Sequence, residues 1–257
     1  MNTEVHEERL IVTSDTHIGS FFCDARPGLI RLLDYARVRG YNVCINGDGI
    51  DVLHTSLMRM TVEASSLLRE MRRVAGEITI YYTIGNHDII LEHAVGDWGG
   101  FRLVPFLNIR SGDKRIRVEH GHLYDPFLMK YPNMQPALTK FIGWCCRAYP
   151  PWYDLEERIK HVRYRDLPRL FGRRNVSRSG VERPDENPAF LDGAEELAQR
   201  GFDAVIFGHT HHAGVLPLNN GAAQYFNTGA WSRQPHYVVI ESGKVQLLPW
   251  TDGAEPR

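Results

Sequence analysis

The chain has 257 residues, 43% of them hydrophobic, and 30 Lys and Arg against 31 Asp and Glu, for a formal net charge of −1. That length suits one large α/β domain with an insertion, and the composition is that of an ordinary globular protein with a sizeable core. Near-neutrality excludes binding of nucleic acid through the overall field, although a neutral sum can hide a local basic patch.

The start, Met1 to Arg9, is charged and lacks the apolar stretch of a secretory signal, and no run approaches the roughly 18 apolar residues of a membrane span. The cytoplasm is the expected compartment. Cys23, Cys44, Cys145 and Cys146 make no C-x-x-C pair and no zinc spacing, so they read as reduced packing residues.

Leu10-Ile11-Val12 reads as a buried strand that delivers Asp15 and His17 just past its C-terminal end. Pro27 to Val38 has helical periodicity, with Leu29, Leu32, Leu33 and Ala36 on one face and Gly40 as the stop. A second strand, Tyr41 to Ile45, runs into Asn46-Gly47-Asp48-Gly49-Ile50-Asp51, and Leu53 to Val74 reads as the helix that carries the chain back. A third, Ile78 to Ile84, ends in Gly85-Asn86-His87-Asp88. Strands alternating with helices imply βαβ units and a largely parallel sheet, whose ligand sites lie at the carboxyl ends of the strands. Each of these strands ends in side chains that can bind a metal.

Phe106 to Ile109 and Lys114 to Glu119 read as a hairpin ending in His120-Gly121-His122. Residues 123–188 then break the α/β rhythm with helices and loops rich in aromatics and proline. Between Arg158 and Arg183 nine basic residues stand against two acidic ones. Such a patch suits attraction to phosphate or to an anionic membrane surface, the alternative being a solvated helix face. Asn187 to Arg200 reads as a helix leading into the strand Ala204 to Phe207, which ends in Gly208-His209-Thr210-His211-His212. Short β segments follow at Val215-Leu216, Ala222 to Asn227, His236 to Ile240 and Val245 to Pro249, suggesting a second sheet packed on the first; the tail from Asp252 is expected to fray.

The candidate ligands are therefore Asp15, His17, Asp48, Asn86, His120, His209 and His211, with His87 beside them. Carboxylate, carboxamide oxygen and imidazole without thiolate suit manganese, iron or zinc rather than a closed structural zinc site. Seven ligands exceed what one ion takes, and they fit two ions roughly 3.5–4 Å apart sharing a carboxylate.

These motifs resemble the calcineurin-like metallophosphoesterases, whose pattern is D-x-H, G-D-x-x-D, G-N-H-D or G-N-R-D, H and G-H-x-H. They stand here, in order, as Asp15-Thr16-His17, Gly47-Asp48-Gly49-Ile50-Asp51, Gly85-Asn86-His87-Asp88, His120 and Gly208-His209-Thr210-His211. The resemblance implies a four-layer αββα sandwich of two β-sheets flanked by helices, one domain over 1–257 with 123–188 as an inserted cap. It implies one divalent ion on Asp15, His17 and His211, a second on Asn86, His120 and His209, and Asp48 between them, with Mn2+ the first choice and Fe or Zn the alternatives. A hydroxide held by both ions would attack phosphorus, His87 would assist the leaving oxygen, and Asp88 would orient His87.

Within that superfamily the length, the insertion and Gly229-Ala230-Trp231 resemble the UDP-2,3-diacylglucosamine pyrophosphatase branch of lipid A synthesis. The chain differs from that branch at His87, His122 and His212-Ala213, where Arg, Asp and Arg-Pro are usual. The implied substrate is a lipid-linked diphosphate met at a membrane face, contacted by His122, Tyr124, Asp125, Arg163, Arg165 and His212. A soluble phosphodiesterase or nucleotidase is the alternative. A non-catalytic protein binder is disfavoured because every ligand position of the pattern is filled. Single-stranded nucleic acid would need the arginines for phosphates and Trp144 or Trp152 for stacking.

Overall fold

The structure, a computed structural model, describes residues 4–20, 23–53, 55, 57–131, 137, 140–141, 144–145, 148–149, 186–232 and 234–251. Most of the expected insertion, including Arg163 and Arg165, lies outside the described residues, as do Cys146, Trp152 and the tail.

The first strands are β1 (Glu4–His6) and β2 (Arg9–Thr13), followed by helix α1 (Arg26–Arg39), β3 (Asn42–Asn46), helix α2 (Leu57–Val74) and β4 (Ile80–Thr83). The parallel pairs β2–β3 and β3–β4 are the βαβ units the sequence predicts. Helix α1 stops where expected, at Gly40, whose φ of 70° lets its N–H close back on Ala36 and Arg37. Helix α2 begins four residues later than the periodicity suggests, at Leu57 rather than Leu53. The backbone N–H groups at its expected start are drawn elsewhere: Val52 donates to the His87 carbonyl at 3.3 Å and Leu53 to Asp51 Oδ1 at 2.9 Å.

Three short strands were not legible: β1, β5 (Gly96–Asp97) and β6 (Phe101–Val104), the last lying parallel beside β4. The hairpin forms as β7 (Leu107–Ser111) and β8 (Lys114–Val118), followed by the short helix α3 (Pro126–Lys130). Later in the chain come helix α4 (Pro188–Gln199), β9 (Ala204–Phe207), β10 (Gly214–Leu218), β11 (Ala223–Asn227), β12 (His236–Glu241) and β13 (Lys244–Pro249). Asn187 caps α4, its side-chain oxygen accepting from Ala189 N–H at 3.0 Å.

The strands form two mixed sheets, six-stranded in the order β1-β7-β8-β9-β11-β10 and seven-stranded in the order β13-β12-β2-β3-β4-β6-β5. The late β segments therefore do not build one second sheet together. β10 and β11 join β9, whereas β12 crosses to pair antiparallel with β2 and brings β13 along. The reason is burial: Tyr237, Val238, Val239 and Ile240 are all buried, which a strand interior to a sheet covered on both faces provides.

Strand alternation makes the layers. Ile11, Val43, Ile45 and Tyr82 face α1 and α2 on the outside of the larger sheet. Leu10, Val12, Cys44 and Tyr81 face inward, against Leu107, Ile109, Ile116, Val118 and Ile206 of the smaller sheet. On the far side, Val205, Phe207 and Tyr225 receive Phe190, Leu191 and Ala194 of α4. The result is helix, sheet, sheet, helix, with each fully buried aliphatic side chain contributing about 1.5–3 kcal/mol. The carboxyl ends of β2, β3, β4, β8 and β9 meet at one edge of this sandwich, and the candidate residues are gathered there.

Candidate metal centre

Just beyond β2 and β3 the two chains stay knitted together. Asp15 N–H donates to Gly47 O at 3.2 Å, His17 N–H to Asp48 O at 2.9 Å and Ile18 N–H to Gly49 O at 2.9 Å. Of eight non-glycine residues with positive φ among those described, five are Asp15 (52°), His17 (45°), Asp48 (50°), His209 (66°) and His211 (63°). The left-handed backbone costs a residue with a Cβ about 1 kcal/mol or more, and its concentration here turns these side chains toward one space. Two glycines let the loops close on that space. A Cβ at Gly208 would lie 2.5 Å from Asp15 Oδ2, and one at Gly85 would collide with the Asp48 carboxylate.

Three groups of side chains offer atoms within 4.8 Å of one another: Asp15, His17 and His211; His17, Asp48 and His87; and Asp48, His120 and His209. Asp48 belongs to two of them. His211 Nε2 lies 3.3 Å from Asp15 Oδ1, and His120 Nε2 lies 3.2 Å from Asp48 Oδ2. His17, Asp15, Asp48 and His120 are all buried. The smaller sheet contributes His120, His209 and His211, and the larger one Asp15, His17, Asp48, Asn86 and His87.

The hydrogen bonds leave several inward-facing atoms unused, although His17 Nε2 and His211 Nε2 lie 3.3 Å apart. His120 Nδ1–H donates to Asn46 O at 2.9 Å, so its Nε2 is left toward Asp48. Asp15 Oδ2 accepts from Ser14 Oγ and, at 3.1 Å, from His209 N–H, which leaves Oδ1. Ser14 is in turn within 2.5 Å of Thr228 Oγ1. Among the described residues Asp15 Oδ1, Asn86 Oδ1 and His120 Nε2 are buried with no hydrogen-bond partner. Buried polar atoms are nearly always satisfied, so a set of unsatisfied acceptors beside converging imidazoles fits divalent cations.

The electrostatics agree. Burial alone would raise the Asp15 carboxyl, but His120 and His211 outweigh it and bring it to about 2. The same contest, with His120 and His87 opposing burial, holds Asp48 well below the usual carboxylate range. His120 is raised to about 10 because Asp48 and Asp15 overcome its burial, whereas burial and the neighbouring His87 push His17 down to about 3. Two ionised carboxylates thus stand beside a neutral His17, with a protonated His120 supplying the positive charge that a cation between them would replace.

The carboxylate expected to orient His87 is found elsewhere. Asp51 Oδ1 stands 3.2 Å from His87 Nδ1. Asp88 is fully buried and spends its oxygens on Gly85 N–H at 2.7 Å, Gly49 N–H at 3.0 Å and the Tyr82 hydroxyl at 2.5 Å. It pins the loop after β3 to the loop after β4. The signal for Asp51 was present as the second acid of Gly47-Asp48-Gly49-Ile50-Asp51.

The expected substrate contacts fare unevenly. His122 is half-buried, its ring centroid 5.6 Å from that of His120. Tyr124 belongs to the wall: its hydroxyl donates to Glu119 at 2.7 Å and its ring stacks on Phe207 at 5.1 Å. Asp125 is buried, caps α3 through Phe127 N–H at 2.8 Å, and places Oδ2 3.2 Å from His209 Nε2. His212 is partly buried beside His211.

The profile of the calcineurin-like phosphoesterase family matches residues 8–213. A protein of Shewanella sp. (strain MR-7) named UDP-2,3-diacylglucosamine hydrolase is 22% identical over 242 residues, 93% of this chain and 96% of its own length. One of the same name from Bordetella parapertussis is 24% identical over 214 residues, 82% of this chain and 80% of its own. Among solved structures, vacuolar protein sorting 29 from Cryptosporidium parvum aligns over 95% of this chain and 96% of its own at 12% identity, with a TM-score of 0.47.

Proposed function

The chain belongs to the calcineurin-like phosphoesterase family of metal-dependent phosphoester hydrolases, and from that premise we propose that it cleaves the diphosphate of UDP-2,3-diacylglucosamine or of a similar lipid-linked diphosphate. The observation that carries the hydrolytic reading is the sharing of Asp48 between a group containing His17 and a group containing His120 and His209. In this reading Asp15, His17 and His211 hold one divalent ion, Asn86, His120 and His209 hold the other, and Asp48 serves both. Two such ions supply Lewis acidity toward the phosphoryl group and a nucleophilic water at neutral pH. Manganese is the preferred identity, with iron or zinc as alternatives for the same nitrogen and oxygen donors.

The protein's own groups do the rest. His87, turned by Asp51, stands against His17 with ring centroids 4.7 Å apart, where it donates a proton to the departing oxygen or a hydrogen bond to the phosphoryl oxygens. Ser14 and the His209 N–H fix one oxygen of Asp15, so that the other is presented without reorganisation. His122, at the rim of the histidine cluster, contacts the distal part of the substrate.

The lipid substrate is supported by the names of relatives that cover most of this chain and by the basic and aromatic composition of 123–188, which this reading treats as a cap. No helix among the described residues is long and apolar enough to cross a membrane, so a diacyl substrate would be met by peripheral contact with an anionic surface, on the cytoplasmic side in this reading. The test is a substrate panel with the metal-reconstituted protein, following UMP release from UDP-2,3-diacylglucosamine beside turnover of bis(p-nitrophenyl) phosphate and nucleotides. Release of UMP with a preference over the small diester supports the reading. Turnover of small esters with no UMP release replaces it with a soluble phosphodiesterase or nucleotidase.

A further inference from the structure

Behind the loop that carries His209 and His211 lies a carboxylate with no part in the chemistry described so far. Glu186 immediately precedes the cap of α4, and its side chain turns into the protein, with the residue 6% exposed. Oε2 accepts from the Thr210 hydroxyl at 3.0 Å, the Tyr225 hydroxyl at 2.9 Å and Asn227 Nδ2 at 3.2 Å, while Oε1 accepts from Asn187 N–H at 2.9 Å. Among the described residues no cation pairs with it, so donors alone compensate its burial, which raises its carboxyl to about 7.

The target of this network is specific. Thr210 sits between His209 and His211, both in the left-handed backbone conformation, and Asn227 Nδ2 also donates to Gly208 O at 3.0 Å. The carboxylate thus grips the segment through Thr210, and Tyr225 and Asn227 fix the grip to β11. The convergence of donors calls for an acceptor on both oxygens. A glutamine would aim an NH2 at hydroxyls and N–H groups that already point inward.

We infer that Glu186 is a positioning residue that, through the Thr210 hydroxyl, sets the spacing at which His209 and His211 are offered to the two divalent ions. The inference rests on the metal-binding reading above. It makes the loop pre-formed, so that ions do not have to order it on binding.

The test uses the full-length protein stripped with EDTA and titrated with Mn2+ alone, bound metal being counted by loss of the free-ion EPR signal. Glu186→Gln and Thr210→Val are each expected to weaken at least one Mn2+ by about 10- to 100-fold. Thr210→Ser, which keeps the hydroxyl, restores near-parental binding, and the double variant E186Q/T210V binds no more weakly than E186Q alone. At saturating Mn2+ the coupled-pair EPR spectrum of E186Q should differ from that of the parent, a change that loss of stability by itself does not produce. Parental binding and spectrum in T210V overturn the inference, even if E186Q fails to fold. A parent that takes up no Mn2+ overturns instead the metal-centre reading on which it rests.

Discussion

Asp51 Oδ1 and His87 Nδ1 face each other across 3.2 Å, joining the loop after β3 to the loop after β4 at the edge of the histidine cluster. A carboxylate on one ring nitrogen fixes the tautomer of an imidazole and stabilises its protonated form. His87→Ala is expected to lower kcat by roughly 10²–10⁴-fold with both metals retained. Asp51→Asn should lower it less, and the double variant should be no slower than His87→Ala. Measurement of kcat on a chromogenic diester, with metal content determined in parallel, decides it; additive losses would mean that the two act separately.

Asp88, by contrast, should act on stability. It accepts from Gly85, Gly49 and Tyr82 in a fully buried setting, and Asn at that place turns an NH2 against one of those donors. Asp88→Asn is expected to cost about 1–3 kcal/mol, a drop of several degrees in thermal midpoint, with kcat per metal-loaded molecule kept within about tenfold. Calorimetry beside kinetics reads both, and a collapse of kcat at an unchanged midpoint would return Asp88 to the catalytic machinery.

Asp48 links the side chains of the two proposed ion sites. It joins two of the three metal-capable groups and also accepts from His87 N–H at 2.8 Å. Asp48→Ala is expected to abolish turnover and to leave the purified protein with less than one divalent ion per chain by elemental analysis. EDTA treatment of the parent should abolish activity as completely, and Mn2+ should restore it in the parent alone. Full activity in Asp48→Ala would rule out a shared carboxylate.

Glu186 gives a pH signature. Its carboxyl rises from 4.5 in the unfolded chain to about 7 in the fold, because burial disfavours the charge. The unfolded chain releases this proton first as pH rises. The contribution is therefore fully present below pH 4.5 and is lost between about 4.5 and 7, on the order of 3 kcal/mol in all. His17, held down to about 3, works in the opposite sense, gaining stability as pH rises toward 6.5, so the total curve mixes signs. The difference between parent and E186Q isolates Glu186. In urea unfolding of the metal-free proteins, the parent should lose stability relative to E186Q across that window, and parallel profiles would refute the shift.

The strand ends were legible because each metal-competent residue follows its own strand directly, so local pattern sufficed to place Asp15, Asp48, Asn86, His120 and His209. The family resemblance added the order of motifs and the sandwich. Partners set by packing between distant segments were beyond that reach. The pairing of His87 with Asp51 depends on how the loops after β3 and β4 cross, whereas the family resemblance implied Asp88 for that place. The reach of Asp125 to His209 is a tertiary fact of the same kind. The crossing of β12 to the larger sheet was illegible for a similar reason, since an apolar strand carries no mark of which neighbour it will choose. Glu186 gave no signal, lying in a polar stretch whose burial only the folded chain reveals.

The centre draws its side chains from both sheets, His120, His209 and His211 from one and Asp15, His17, Asp48 and Asn86 from the other. Neither half of the sandwich owns a complete set. In the proposed reading the ions act as rivets through the seam: shearing one sheet against the other leaves two partial sites, and ions that hold tightly couple the sheets mechanically. A chain split between β6 and β7 would then regain its metals only when its fragments dock, and metal uptake would report the joining of the halves rather than the folding of either.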